Sequence, residues 1–441
     1  MRNKRYSVAG WAAAVACLCG VGGLASAQSA SAPLLTTSQQ QNDLLALSLR
    51  NEPAVVAART AMLARWGALP LSQLPDGKAT LGEAVDEAVF LALRSAAADP
   101  ARPQVLWTEA PAYQIGNLHV PAGRLGDSPD RIYRFAAFDP QYRYIIHGRR
   151  DARPSLGEFS FEATKPPAAF GAALSHLSSD DIDVAADGSF TVTADASPTA
   201  GRRNHLYLPP GTTHVLIRDT LLDWGSQLPN DLTIERVGDE GAAPRSHAAL
   251  VKEAATEIGE LAEVQVPFLQ TAAQTPPDQI TPRIRPLAWG MPGSGIALNR
   301  FSLRKDEALV VTLDALGGKY LGFVVGDPWQ RSVTYWDRTG SLNNRQAKHN
   351  PDGTITYVIA PKDPGVYNWL DTNGLLDGVV TIRWEGLPPT ADIHTAVKNV
   401  RVAKIENLSA ALPDAPRVAA TERRRLLAQR QADFAHRISI D

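Results

Sequence analysis

Between residues 104 and 237 polar and apolar positions alternate with a period of two, in short runs rich in aromatic and β-branched side chains at 131–135, 142–147, 159–161, 189–193 and 214–218. Turns built on Asp-Pro, Asp-Gly and Pro-Pro-Gly separate these runs, so the pattern predicts antiparallel strands stacked as a β-sandwich. Alternation puts Arg131 and Phe135 on one face of their strand and Ile132 and Arg134 on the other. Strands resume at 309–313, 320–325, 332–336, 354–359 and 379–384, with few helical signals between them.

Helical periodicity flanks and divides these two regions. Pro53 opens a helix that runs through Val55, Val56, Met62 and Leu63 to Gly67, with proline in the first turn and glycine at the end. Thr80-Leu81-Gly82-Glu83 reads as a capping box starting a second helix, which carries Val85, Ala88, Val89 and Ala92 on one face and stops at Asp99-Pro100. A third helical pattern, through Leu250, Ala254, Ile258 and Leu261, covers 244–269 and leads into a stiff connector at Pro276, Pro277, Pro282 and Pro286. The charged tail at 417–436 is helical, and its Arg423-Arg424-Arg425 run reads as a solvated face. Residues 29–42, rich in Ser, Thr and Gln, read as a polar lead-in.

The two strand regions repeat one another. Asp139-Pro140-Gln141-Tyr142-Arg143, Asp187-Gly188-Ser189, Asn204-His205-Leu206 and Ile217-Arg218 recur in order as Asp327-Pro328-Trp329-Gln330-Arg331, Asp352-Gly353-Thr354, Asn368-Trp369-Leu370 and Ile382-Arg383. The Asp-Gly to Asn spacing is 17 and then 16 residues, and the Asn to Arg spacing is 14 and then 15. Ordered landmarks with spacings kept to one residue imply an internal duplication.

Composition narrows the function classes. A basic start (Arg2, Lys4, Arg5), an apolar run from Val8 to Leu24 and Ala25-Ser26-Ala27 make residues 1–27 a signal peptide, with export to the periplasm or beyond. A lipid anchor at Cys17 is the alternative. Cys17 and Cys19 both lie inside this segment, so cleavage after Ala27 leaves no disulfide, thiol nucleophile or Cys-bound metal. It also leaves 41 basic against 46 acidic residues, a formal charge of −5, which suggests neither a nucleic-acid groove nor an anionic membrane surface. No later segment is apolar enough to span a bilayer, and oligomeric state is open.

Candidate chemistry follows from the repeat. Asn204 and Asn368 hold equivalent places; each reads either as a turn before a strand or as a marker of a concave face. In the second case His205 is a general base and Trp369 a stacking platform. Arg218 and Arg383, also equivalent, read as structural ion-pair members or as guanidinium forks for an anion. Glu158 and Glu162 flank one strand and share a face, as paired carboxylates in proton transfer must. Asp180-Asp181-Ile182-Asp183 lacks the Gly and distal Glu of a calcium loop, the nine histidines show no paired spacing, and no phosphate or dinucleotide loop is present. No metal or cofactor is expected.

Tyr335-Trp336-Asp337, Asp352-Gly353-Thr354, Asn368-Trp369-Leu370 and Ile382-Arg383-Trp384 together resemble a bacterial domain-of-unknown-function family, the 1214 type, over some 80 residues near the C-terminus. The resemblance implies an antiparallel β-sandwich in an envelope or secreted protein. It implies no chemistry.

The expected protein is therefore mainly β with α additions. After the signal come a helical region (28–103), a jelly-roll-like sandwich lobe (104–240), a helical insert with its connector (241–290), a second lobe (291–390) and a helical tail (391–441). Its expected role is to recognise a small polar or anionic molecule, a saccharide or aromatic acid, between the lobes through Arg218, Arg383, Trp369, Asn204 and Asn368. The rival readings are a cofactor-free hydrolase or lyase using His205 or Glu158, and a structural envelope protein.

Overall fold

A computed structural model describes residues 34–150, 158–167, 170–238, 243–285 and 293–438. The expected signal peptide lies outside the described residues. Helices come first: α1 (Thr37–Leu49), α2 (Pro53–Gly67) and α3 (Pro75–Ala97). Within the polar lead-in at 29–42, to which no helix start was assigned, Thr36 caps α1 by accepting from the Gln39 amide at 3.1 Å. The first two turns of α1 bury polar Gln39, Asn42 and Asp43, with apolar Ala46, Leu47 and Leu49 buried only toward its end, a mixture that weakens the apolar periodicity of a helix. Pro53 and Gly67 bound α2 as predicted. Thr80 does not cap α3; Pro75 starts that helix, and the Thr80 hydroxyl donates back to the Asp76 carbonyl one turn earlier.

The first lobe follows with β1 (Leu106–Trp107), a small hairpin of β2 (Tyr113–Ile115) and β3 (Leu118–Val120), and then β4 (Arg131–Ala137), β5 (Arg143–Arg149), β6 (Phe159–Thr164), β7 (Ala173–Ser178), β8 (Ser189–Asp195), β9 (His205–Tyr207), β10 (His214–Thr220) and β11 (Asp231–Val237). After α4 (His247–Gln274), the second lobe supplies β12 (Arg283–Ile284), β13 (Gly295–Ser302), β14 (Glu307–Leu313), β15 (Tyr320–Gly326), β16 (Ser341–Asn343), β17 (Ile355–Ala360), β18 (Trp369–Asp371), β19 (Asp377–Glu385) and β20 (Val397–Lys404). The short helix α5 (Leu408–Ala411) and the tail α6 (Ala420–Ile438) close the chain. The second lobe thus extends beyond residue 390 to include β20.

Each lobe stacks a five-stranded sheet on a four-stranded one. The first orders its strands β1-β4-β10-β6-β7 and β11-β5-β8-β9; the second orders them β12-β13-β19-β15-β16 and β18-β17-β14-β20. Strand for strand the topologies coincide, down to the single parallel pairing in each lobe, β8 with β9 and β17 with β18. The duplication extends to side chains. Asn204 Nδ2 donates to the Thr191 and Asp183 carbonyls while its Oδ1 accepts from the Asp183 amide. Asn368 makes the same three bonds to Thr356, Lys348 and the Lys348 amide. Asp187 and Asp352 each accept from the amide and hydroxyl two residues on, across glycines at φ +85° and +84° that the turn requires.

One landmark fails. Asp139 lies in the β4–β5 turn, whereas Asp327 follows β15, whose first-lobe counterpart is β6. The two Asp-Pro sequences are a coincidence of turn chemistry. The expected strand at 332–336 is also absent, because the Asp337 and Arg338 amides turn back onto the Thr334 carbonyl.

The sandwich cores hold Ile217, Phe161 and Tyr144 in one lobe and Ile382, Phe323 and Trp384 in the other. Helices α1 to α4 form a layer with its own core, into which the second lobe inserts Trp329, stacked on Trp66 at 6.0 Å. Tail helix α6 adds Phe434 to Trp224 and Tyr335. Its Arg423 corrects the expected solvated face, for it is buried, paired with Asp363 at 2.9 Å and stacked over Trp369.

Candidate functional site

The inner faces of the sheets fill the two cores, with Val215 and Ile217 pointing inward from β10, so strand alternation turns the even residues of β10 and their counterparts on β19 outward. Ile217 and Ile382 are core; Arg218 and Arg383, one residue on, emerge from the five-stranded sheets of their lobes. These outward faces meet. Arg131 on β4 pairs with Glu385 on β19, and Arg383 Nη2 donates to the Gly126 carbonyl at 2.9 Å. The loop before β4 lies across the second lobe: Asp130 accepts from Tyr320 at 2.8 Å and from Asn343 at 2.7 Å, and Ser128 meets the Tyr320 hydroxyl at 3.1 Å. Gly322 makes room for that hydroxyl, since a Cβ there would sit 1.9 Å from it.

The seam between the lobes, the expected place of the ligand cleft, is crowded with charge. Arg131, Arg218, Arg285 and Arg383 interact electrostatically with one another, and Glu109 with three of them. Burial, followed by Tyr133, Arg131 and other charges, sets the Arg218 guanidinium at about 10; burial and three neighbouring arginines bring Arg285 down to about 9. Two of the four are matched by carboxylates, Arg131 by Glu385 and Arg218 by Glu162. Arg383 and Arg285 have no ion-pair partner among the described residues.

Two carboxyls remain. Burial and then Asp127 hold Glu109 well above the usual carboxylate range, and burial pushes Asp127 up to about 7 despite its bond from Ser332 at 3.0 Å. Several polar atoms here are buried without a hydrogen-bond partner among the described residues: Nε and Nη1 of Arg383, Nε of Arg218, Oε2 of Glu109 and Oδ1 of Asp127. Buried polar groups are nearly always satisfied in native proteins, so five in one cleft imply something that satisfies them.

A stability measurement follows from Asp127. Folded Asp127 keeps its proton to about pH 7 while the unfolded residue loses it near 4, so the ligand-free protein loses stability as pH rises through that interval, by up to about 1.4 kcal/mol per pH unit. Asp127→Asn lacks this loss. Its stability relative to the native protein is expected to grow from about pH 4 to about pH 7 and then level off, as urea unfolding at a series of pH values would show. Comparing the two proteins cancels His214, a buried imidazole held down at about 3 by desolvation, whose own effect runs the opposite way.

Of the candidate residues, the structure gathers Arg218, Arg383 and Glu158 at the cleft; Glu158 directly precedes β6 and feels Arg131 and Arg218. The other four lie elsewhere. His205 sits on the outer face of the four-stranded sheet, bonded to Thr193 Oγ1 at 2.9 Å and to the Ser197 carbonyl at 2.8 Å. Trp369 occupies the matching face of the second lobe, its Nε1 donating to the Ala360 carbonyl at 3.0 Å beneath Arg423. Asn204 and Asn368 spend their amides on the turn bonds described above. The repeat gave these four equivalent positions, but equivalence places them on sheets that face away from the other lobe.

Glu109, Asp127 and Arg285 escaped the sequence reading. Asp127-Ser128-Pro129-Asp130 reads as an ordinary turn, Arg285 sits in what reads as a connector, and Glu109 has no neighbouring signal. Among the described residues no group of three or more His, Cys, Asp or Glu is placed to hold a metal ion, and no helix is long and apolar enough to cross a membrane.

No family model and no curated protein matches the chain. Among solved structures it is similar to an uncharacterized protein from Burkholderia cenocepacia, with 24% identity and a TM-score of 0.69 over 82% of this chain and 99% of that one. It is also similar to the VPA0106 protein from Vibrio parahaemolyticus, with 10% identity and a TM-score of 0.40 over 63% of this chain and 90% of that one. The first likeness bears on the fold, which is mainly β with helices at the start, middle and end.

Proposed function

We propose that this is an exported protein that recognises a small polar or anionic organic molecule between its two lobes. The observation that carries the reading is Arg383, 6% exposed, with two of its three nitrogens unbonded in a region where Glu109 Oε2 is also unsatisfied. A buried cation without a carboxylate is costly, and an anionic ligand removes that cost. The double variant Arg218→Ala/Arg383→Ala is expected to lose ligand binding, read by calorimetry against acidic and neutral sugars and aromatic acids. Unchanged binding would remove the proposal.

Export rests on the basic and apolar pattern of residues 1–27. N-terminal sequencing of the periplasmic protein is expected to start near Gln28; an intact Met1 in the cytoplasm is the contrary result. We also propose kinship with the 1214-type family for the second lobe, supported by the motif at 335–384. A hydrolase or lyase reading has one support, Glu158, whose carboxyl burial raises in pKa beside Arg131.

A further inference from the structure

The cleft offers its ligand two kinds of unsatisfied group. Arg383 Nε, Arg383 Nη1 and Arg218 Nε are donors; Glu109 Oε2 and Asp127 Oδ1 are carboxyl oxygens. Asp127 is 3% exposed and Arg383 is 6% exposed, so water access to either is slight. A ligand that completes the site must bring negative charge for Arg383 and Arg285, and must also bond carboxyl groups.

Three common classes fit poorly. Sulfate can accept from the arginines and from a protonated carboxyl but has no hydrogen to offer an ionised one, and a phosphate dianion has only one. A neutral sugar leaves Arg383 and Arg285 without counter-charge. An aromatic acid needs an open ring face, and the rings near the cleft are engaged: Arg131 and Arg218 each lie 5.9 Å from the Tyr133 centroid, and Tyr335 packs with Trp224, Trp336 and Phe434. A hydroxyl, by contrast, both donates and accepts, so it can bond a carboxyl group whether that group is protonated or ionised.

We infer that the ligand is a hydroxylated carboxylic acid of the sugar-acid type, its carboxylate set against Arg383 and Arg285 and its hydroxyls against Glu109 and Asp127. This rests on the proposed interlobe site and narrows it. Glu109 then acts as the specificity residue that tells a hydroxy acid from a bare anion, and Arg383 as the residue that tells it from a neutral sugar.

Calorimetric titration with glucuronate, gluconate, glucose, benzoate and sulfate tests the inference. Glucuronate or gluconate is expected to bind at least about tenfold more tightly than the other three. Arg383→Gln is expected to weaken that binding by about 10- to 100-fold, and Glu109→Gln by about tenfold with little change for sulfate. Glu109 lies on a loop outside the sheets, so its variant carries the test should Arg383→Gln misfold. Benzoate or sulfate binding as tightly as the sugar acids, and equally sensitive to Arg383→Gln, would overturn the sugar-acid assignment and leave the anion cleft standing. If none of the five binds, both readings fall together.

Discussion

Asp43→Ala is expected to destabilise the protein by about 3–5 kcal/mol, the usual effect of stripping one partner from a buried ion pair. Asp43 is fully buried and Arg94 is 1% exposed. The carboxylate accepts from Arg94 Nε at 2.7 Å and Nη2 at 3.0 Å, from Gln39 at 3.0 Å and from the Tyr113 hydroxyl at 2.6 Å. Arg94 also donates to the Thr108 carbonyl at 2.7 Å, and Gln39 accepts from the Trp107 amide at 2.7 Å. One network therefore fixes α1 and α3 to the first strand of the first lobe. The variant leaves a guanidinium buried without its anion, and a fall in the urea midpoint followed by tryptophan fluorescence reads the loss. The double variant Asp43→Leu/Arg94→Met removes both charges and is expected to recover much of it. A single variant within about 1 kcal/mol of the native protein would mean that the network contributes little.

Trp329→Ala is expected to cost a similar amount, about 3–5 kcal/mol, through the cavity it leaves. Its ring is fully buried, lies nearly parallel to Trp66 with an interplanar angle of 8°, and donates to the Gly77 carbonyl at 2.8 Å. Arg331, two residues on, bonds Glu87 at 2.9 Å and Asp327 at 2.8 Å. The loop after β15 thus ties the second lobe to the helical layer, and Glu87 in turn holds the Arg124 amide at 3.1 Å at the edge of the cleft. The variant should lose the near-ultraviolet circular dichroism of the stacked pair together with stability. Loss of one without the other would show that Trp329 packs without anchoring.

Much of this architecture was legible because strands announce themselves by alternation and turns by Asp-Gly. The two lobes, the helical insert and the tail follow from patterns spread over many residues. Helix α1 is hidden because half of what it buries is polar, Gln39, Asn42 and Asp43, and the 332–336 segment misleads because aromatic residues suit a packed loop as well as a strand. The same limit governs the site. Arg218 and Arg383 could be found since a duplicated strand carries both to matching faces. Sequence equivalence could not say which sheet faces the other lobe, so His205 and Trp369 were credited with a cleft they do not reach. Glu109, Asp127 and Arg285 come from segments outside the repeat, where no internal copy marks them.

The central claim is that the two five-stranded sheets enclose a cleft whose buried charges are completed by a ligand. A high-resolution crystal structure of the protein grown with glucuronate tests it most directly. The expected map shows non-protein density within hydrogen-bond distance of Arg383 and Glu109. A map in which Arg383 binds Glu109 or Asp127 directly, with no room between them, would contradict it.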